Sequence, residues 1–244
     1  MIWLGIAFLV LFVLFLLFWS SWSISAGVYL KTVCRLNTNE KVVALTYDDG
    51  PEPATTLPLL EVLKKYDAKA CFFCVGHKAE QFPEIVRKIV DEGHTIGNHS
   101  YGHEATFPLY GKKKMKEDLL KAQQILEQAS ERQVRLFRPP FGVTNPTMRS
   151  VVKELGWTTI GWSIRSLDTQ AQTADKVVWR IKRKLKPGVI ILLHDRMPFC
   201  AELTEELLVY LQENGYKVVS LNDVLSKKNQ QINKSVNQQI NLYV

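Results

Sequence analysis

Cysteine is scarce in this chain, with four in 244 residues. That is too few, and too scattered, for a disulfide scaffold. Cys71 and Cys74 fall in the strand-like run KACFFCVG. Three positions apart on a strand, their side chains take opposite faces, which excludes an easy bond between them. A C-x-x-C zinc half-site needs a second pair of ligands, and Cys34 and Cys200 stand alone, so all four read as buried core thiols. Internal repeats are absent, and so is any recognised nucleic-acid-binding motif. The basic excess, 31 Lys and Arg against 24 Asp and Glu, therefore does not imply nucleic acid. It gathers in KKKMK (Lys112–Lys116) and RIKRKLK (Arg180–Lys186), which read as the solvated faces of two helices. Contact with anionic lipid or an anionic polymer is the sharper alternative.

Charge is missing altogether from Ile2 to Trp19, IWLGIAFLVLFVLFLLFW. At helical rise this run is long enough to cross a hydrocarbon core. A cleaved signal peptide is the rival reading, but it calls for a basic start, an apolar stretch of only about 7–15 residues and a small-residue cleavage site. No Lys or Arg precedes the run, and SSWSISAG is a poor cleavage site. Residues 1–30 are therefore expected to be an uncleaved transmembrane anchor with its flank, and 31–40 a connector. Residues 41–225 are long enough for one good-sized α/β domain. The Asn/Gln-rich tail, 226–244, is expected to be disordered.

Within the domain, apolar strand-like runs alternate with helical patterns. Strands are expected at Val42–Tyr47, Ala70–Val75, His94–Gly97, Val134–Phe137, Trp157–Trp162, Val189–Leu193 and Val218–Ser220. Helices are expected at Leu57–Tyr66, Pro83–Glu92, Met115–Gln128, Pro146–Leu155, Ala174–Leu185 and Glu202–Asn214. Gly93, Gly156 and Gly215 each follow a helix directly, as a C-terminal stop should. Such alternation predicts a parallel sheet, and about seven units suggest a barrel.

In a parallel barrel the chemistry sits at the C-terminal ends of the strands, and the polar motifs fall there. TYDDGP (Thr46–Pro51) ends the first strand on two adjacent carboxylates. NHSYGH follows the third, RPPFG the fourth, SIRSLD the fifth and HD the sixth. Side-by-side carboxylates repel and are expensive near a core unless something positive holds them. His99 and His103 are four apart, the spacing of one side of a helical turn. Two His and one carboxylate form a common metal set with open positions. One Asp of the pair can then ligate while its neighbour stays free as a general base. The metal would relieve their repulsion and lower the pKa of bound water. His77 and His94 read as ordinary core or surface residues.

These motifs together resemble the NodB-homology polysaccharide deacetylase family, carbohydrate esterase family 4, across about Val42 to Ser220. Thr46–Pro51 matches the first motif, His99-Ser100-Tyr101-Gly102-His103 the second, Arg138–Gly142 the third and Leu193-His194 the fifth. The family fold is a distorted (β/α)7 barrel. The resemblance implies that Asp49, His99 and His103 bind a divalent metal, usually zinc, with cobalt or nickel as alternatives. It implies that Asp48 takes the proton from the metal-bound water that attacks the acetamide carbonyl of an N-acetylated sugar. The backbone N–H of Phe141, beside Pro139 and Pro140, would hold the oxyanion with the metal. Arg138 would position Asp48, and His194 would protonate the leaving amine.

The fourth motif departs from the family pattern. Arg165 stands where an Asp is expected and Thr169 where a Trp is expected, while Asp168 is kept and can partner His194. That change bears on the sugar groove more than on the chemistry. The implied activity is deacetylation of peptidoglycan or another envelope polysaccharide. An O-acetyl esterase or other C–N hydrolase, or a catalytically weak membrane-tethered glycan-binding protein, are the alternatives. An envelope substrate places the domain on the extracytoplasmic side. Lys31, Arg35 and Lys41, on the domain side of the span, pull toward the cytoplasm.

Overall fold

The computed structural model describes residues 2–225, and the polar tail, 226–244, lies outside them. A 21-residue helix, α1 (Ile2–Trp22), opens the chain. By length and composition it can cross a membrane. The elements then run β1 (Thr32–Val33), β2 (Val42–Asp48), α2 (Pro53–Lys65), β3 (Cys71–Cys74), α3 (Gly76–Gln81), α4 (Pro83–Asp91), β4 (Thr95–Asn98) and α5 (Lys112–Ser130). They continue with β5 (Leu136–Phe137), α6 (Pro146–Leu155), β6 (Thr158–Ile160), β7 (Ile164–Arg165), α7 (Ala174–Lys182), β8 (Val189–His194), α8 (Cys200–Glu213) and β9 (Lys217–Val218).

Every pairing between these strands is parallel. The order is β1-β6-β5-β4-β3-β2-β8-β7, with β9 added beside the start of β2. The sheet curls into an incomplete barrel, left open between β1 and β7. Among the described residues nine strands stand where seven were expected, for two reasons. The expected connector, 31–40, contributes β1, which pairs with β6. The expected strand Trp157–Trp162 shortens to β6, which pairs with β5, and just past its end the chain forms β7, which pairs with β8.

Side-chain alternation gives the sheet an outer and an inner packed face, and the core falls into three clusters, one of them around Phe137, Met115 and Met148. Val43, Leu45 and Tyr47 of β2 face outward with Phe72 and Cys74 of β3, under the apolar faces of α2, α7 and α8. Ala44, Cys71, Phe73, Leu136, Ile160 and Ile190 fill the barrel interior. Cys71 and Cys74 thus lie on opposite faces, and all four cysteines are free. The same alternation carries Ala44, Thr46 and Asp48 up the inner face of β2, and Ile190, Leu192 and His194 up that of β8. Asp48 and His194 are register partners at the top of those two strands.

Local chemistry sets the helix boundaries. α6 begins where the Asn145 side chain accepts from the Met148 N–H at 2.8 Å, with Pro146 in the first turn. It stops at Gly156 in the left-handed conformation, φ 67°. The first charged run is a solvated helix face, with Lys112, Lys113, Lys114 and Lys116 outside while Met115 is buried; the second is not, since α7 ends at Lys182 and Arg183–Lys186 form the turn and loop before β8.

Candidate active site

The tops of β2, β4, β5 and β8 bring the polar motifs to one rim. Asp49 leaves β2 with φ 78°. Its carboxylate and that of Asp48 both reach His99 Nε2, at 3.5 and 3.7 Å. His99 follows β4 directly, and His103 is reached through a tight loop rather than the helical turn that the spacing suggested. Ser100 and His103 both have positive φ, 66° and 49°, and Ser100 Oγ accepts from the His103 N–H at 3.0 Å. The loop brings the two imidazole centroids to 4.7 Å. Seven non-glycine residues among those described have positive φ, and Asp49, Ser100, His103, Phe141 and Leu167 all border this site. Strain of this kind costs of order 1–3 kcal/mol per residue and is held only where the surroundings over-determine it.

Asp49, His99 and His103 offer ligand atoms that all lie within 4.8 Å of one another. Asp49 Oδ1 is 3.5 Å from His99 Nε2 and 3.3 Å from His103 Nε2. His99 Nδ1 donates to the Arg138 carbonyl at 2.8 Å, which fixes the ring and turns Nε2 toward the carboxylates. The cluster favours added positive charge. Burial works against the Asp49 carboxylate, but the hydrogen bond and charge of His99, with His194 and His103, hold it well below the usual carboxylate range. Burial opposes protonation of His99 too, yet Asp48 and Asp49 raise its pKa. Burial and then the His99 charge push His103 down to about 4. An acid, two imidazoles and a fixed second ring nitrogen fit a divalent cation.

Asp48 is held from the other side. Arg138 is fully buried; its Nη1 donates to Asp48 Oδ1 at 2.7 Å and to Thr46 Oγ1 at 2.8 Å. Nη2 donates to the Gly161 carbonyl at 2.9 Å and Nε to that of Ile160 at 3.2 Å. The Phe73 ring covers the guanidinium at 4.2 Å. With Oδ1 bound, Oδ2 of Asp48 is left facing His99 Nε2 at 3.7 Å.

His194 has its own carboxylate. Its Nδ1 lies 2.7 Å from Asp168 Oδ1, and its backbone N–H donates to Asp168 Oδ2 at 2.7 Å. Burial lowers the imidazole pKa, but the hydrogen bond and charge of Asp168 more than offset that and raise it. Phe141 sits at φ 61° just after buried Pro140, its ring 4.8 Å from that of His103. Arg165 is exposed on β7. Asp48, Asp49, His99, His103, His194 and Phe141 line one cleft of about 220 Å³, and Arg165 is also on its wall.

The polysaccharide deacetylase family model matches residues 35–160, more than half of the chain. The chain belongs to the polysaccharide deacetylase family. Over 78% of its length it is 34% identical to a peptidoglycan-N-acetylglucosamine deacetylase of Bacillus cereus, covering 91% of that protein. It is 33% identical over 80% of its length to the peptidoglycan-N-acetylmuramic acid deacetylase PdaC of Bacillus subtilis, but spans only 41% of that longer protein. Among solved structures, a CE4 family pseudoenzyme from Bacillus anthracis superposes with a TM-score of 0.74 at 29% identity, covering 80% of this chain and 68% of that one.

For this deacetylase-family chain, sequence reasoning named ten site residues, and the structure puts them around that one rim. It missed three others. Asp195, read only as part of HD, is buried under the DDG turn. Its Oδ2 accepts from Thr56 Oγ1 at 2.7 Å, and burial pushes the carboxyl up to about 7. A side chain at Gly50 would land 1.9 Å from that oxygen, the steric reason for glycine after the carboxylate pair. Arg196 Nε donates to Asp49 Oδ2 at 2.6 Å. The third is Trp22, which lines the cleft from the end of α1. Nothing in its sequence position, beside an apolar run, signals that.

Proposed function

We propose that this chain is a membrane-anchored, metal-dependent deacetylase that removes N-acetyl groups from a glycan. What supports this reading is the convergence on one cleft of a three-residue ligand set, an Arg-held carboxylate and a carboxylate-held imidazole. Fold alone does not carry it, since the B. anthracis neighbour shares the fold and is described as a pseudoenzyme.

Asp49, His99 and His103 would hold the cation, with zinc the expected ion and cobalt or nickel the alternatives. When bound, it supplies Lewis-acid polarisation of the amide carbonyl and acidifies water. Asp48, its Oδ1 pinned by Arg138, uses its free oxygen to take a proton from the attacking water. The Phe141 N–H donates to the carbonyl oxygen as charge builds on it. His194, kept protonated by Asp168, gives its proton to the sugar nitrogen as the C–N bond breaks. Acetate and a free amine are the products. The docked end of α1 favours an anchor over a cleaved signal. Ile24 is buried, and the Ser21 carbonyl accepts from the Thr144 N–H at 2.9 Å, so a cut near Ala26 would strip contacts from the domain.

The test is acetate release from N-acetylglucosamine oligomers and from peptidoglycan, with and without chelator. We expect release that a chelator abolishes and a divalent metal restores. No release from any N-acetylated sugar, with O-acetyl esters cleaved instead, would transfer the reading to an esterase.

A further inference from the structure

The end of the membrane helix is part of the cleft wall. Ser20 is buried against the domain, the Ser21 carbonyl accepts from the Thr144 N–H, and Ile24 is buried. Ile24 lies over Gly161, whose added Cβ would meet its Cδ1 at 3.4 Å, and its carbonyl is 3.9 Å from Cys34 Sγ. Between these fixed points Trp22 lines the same cleft as His99, His103 and His194. The span therefore does not end in a loose tether. It delivers its last turn to the mouth of the site. At about 1.5 Å per residue, α1 is about 31 Å long, the thickness of the hydrocarbon core, so Trp19 and Trp22 fall at the membrane interface. The cleft then opens at the lipid headgroups.

Two further features fit that placement. Leu109 is 84% exposed on the same flank, since the Pro108 carbonyl accepts from Asn145 Nδ2, next to the Thr144 that binds the helix end. Lys112, Lys113 and Lys114, all exposed, follow it. An exposed apolar side chain followed by lysines suits an anionic bilayer surface. Within the cleft, Arg165 is exposed and makes no ion pair among the described residues. A free arginine beside the catalytic groups calls for an anion; its planar fork matches carboxylate and phosphate alike, and a cleft that opens at the headgroups favours a lipid phosphate.

We propose that the substrate is an N-acetylated sugar carried on a lipid phosphate or diphosphate in the same bilayer, with Trp22 the wall nearest the membrane and Arg165 the arm that receives the phosphate. This deepens the deacetylase reading and rests on it. It also removes a conflict in the sequence. The basic residues after the span favour one side of the membrane and a finished envelope polymer requires the other, whereas a lipid-carried sugar can meet the domain on whichever leaflet it faces.

The test uses the full-length, metal-loaded protein in vesicles of phosphatidylethanolamine and phosphatidylglycerol. Acetate release is compared for N-acetylglucosamine on a polyprenyl diphosphate, for the same sugar on a neutral diacylglycerol, and for a soluble N-acetylglucosamine oligomer. We expect kcat/KM for the diphosphate lipid to exceed that for the soluble oligomer by about tenfold or more, and Arg165→Ala to shrink that ratio by about tenfold with Arg165→Lys recovering part of it. Equal or faster turnover of the soluble oligomer overturns the proposal while leaving the deacetylase reading intact. Turnover of the neutral glycolipid as fast as the diphosphate overturns the anion-binding role of Arg165. Absence of acetate from all three overturns both readings.

Discussion

Asp48 and Asp49 are neighbours in the chain and both approach His99, yet Asp48 is pinned by the buried Arg138 while Asp49 lies between His99, His103 and the exposed Arg196. The two should separate in experiment. Replacing Asp49, His99 or His103 by Ala should abolish tight metal binding and activity together, and full metal occupancy in His103→Ala would refute the ligand set. Asp48→Asn keeps the shape and should retain metal while turnover falls by about 10²–10⁴, the usual worth of a positioned base. Metal analysis beside kcat distinguishes the two, and metal loss in Asp48→Asn would mean the roles are reversed. A third expectation concerns pH. The Asp168 carboxylate raises the His194 pKa, so the imidazolium persists to higher pH. Asp168→Asn removes that charge, and the alkaline limb of the kcat–pH profile should move to lower pH. A limb that stays in place would remove Asp168 from the mechanism.

Among the elements, α6 was legible to the residue because an Asn cap, a first-turn Pro and a glycine stop all mark it. α3 was not, because six residues pressed directly after β3 give no helical period to read. β7, just past the expected strand Trp157–Trp162, and β1, within the expected connector, escape the sequence for a related reason. Each forms a strand only because a distant partner stands beside it. The His99–His103 pairing was found through the wrong geometry: i, i+4 spacing suggested a helix, and two left-handed residues achieve the approach in a loop. Tight packing between strands was likewise invisible. At Gly97 of β4 an added Cβ would lie 2.5 Å from the Phe73 ring, and that ring covers the Arg138 guanidinium. Gly97→Ala should therefore push β4 from β3 and cost about 1–3 kcal/mol, the usual price of overpacking, seen as a lower midpoint in urea. An unchanged midpoint would show that Phe73 moves freely.

For the molecule as a whole, the sequence reading reached the parallel barrel and the rim of the site because both depend on local patterns. It stopped at the union of the N-terminal apolar helix and the domain, which depends on where α1 ends in space. If that union is permanent, the protein extracted from membranes should have the intact mass of the full chain. A mature start near Ala26 or Gly27 would show a cleaved signal instead. One feature of the sheet governs how such a molecule fails. Asp48 and His194 are register partners on adjacent parallel strands, so their spacing is that of the backbone ladder, about 4.8 Å. Side-chain repacking elsewhere cannot stretch that gap without breaking the ladder itself. Damage to the outer helices should shorten the working life of the protein without detuning it. On heating, the turnover of each surviving molecule should follow ordinary Arrhenius behaviour up to the unfolding transition, with activity then disappearing by headcount.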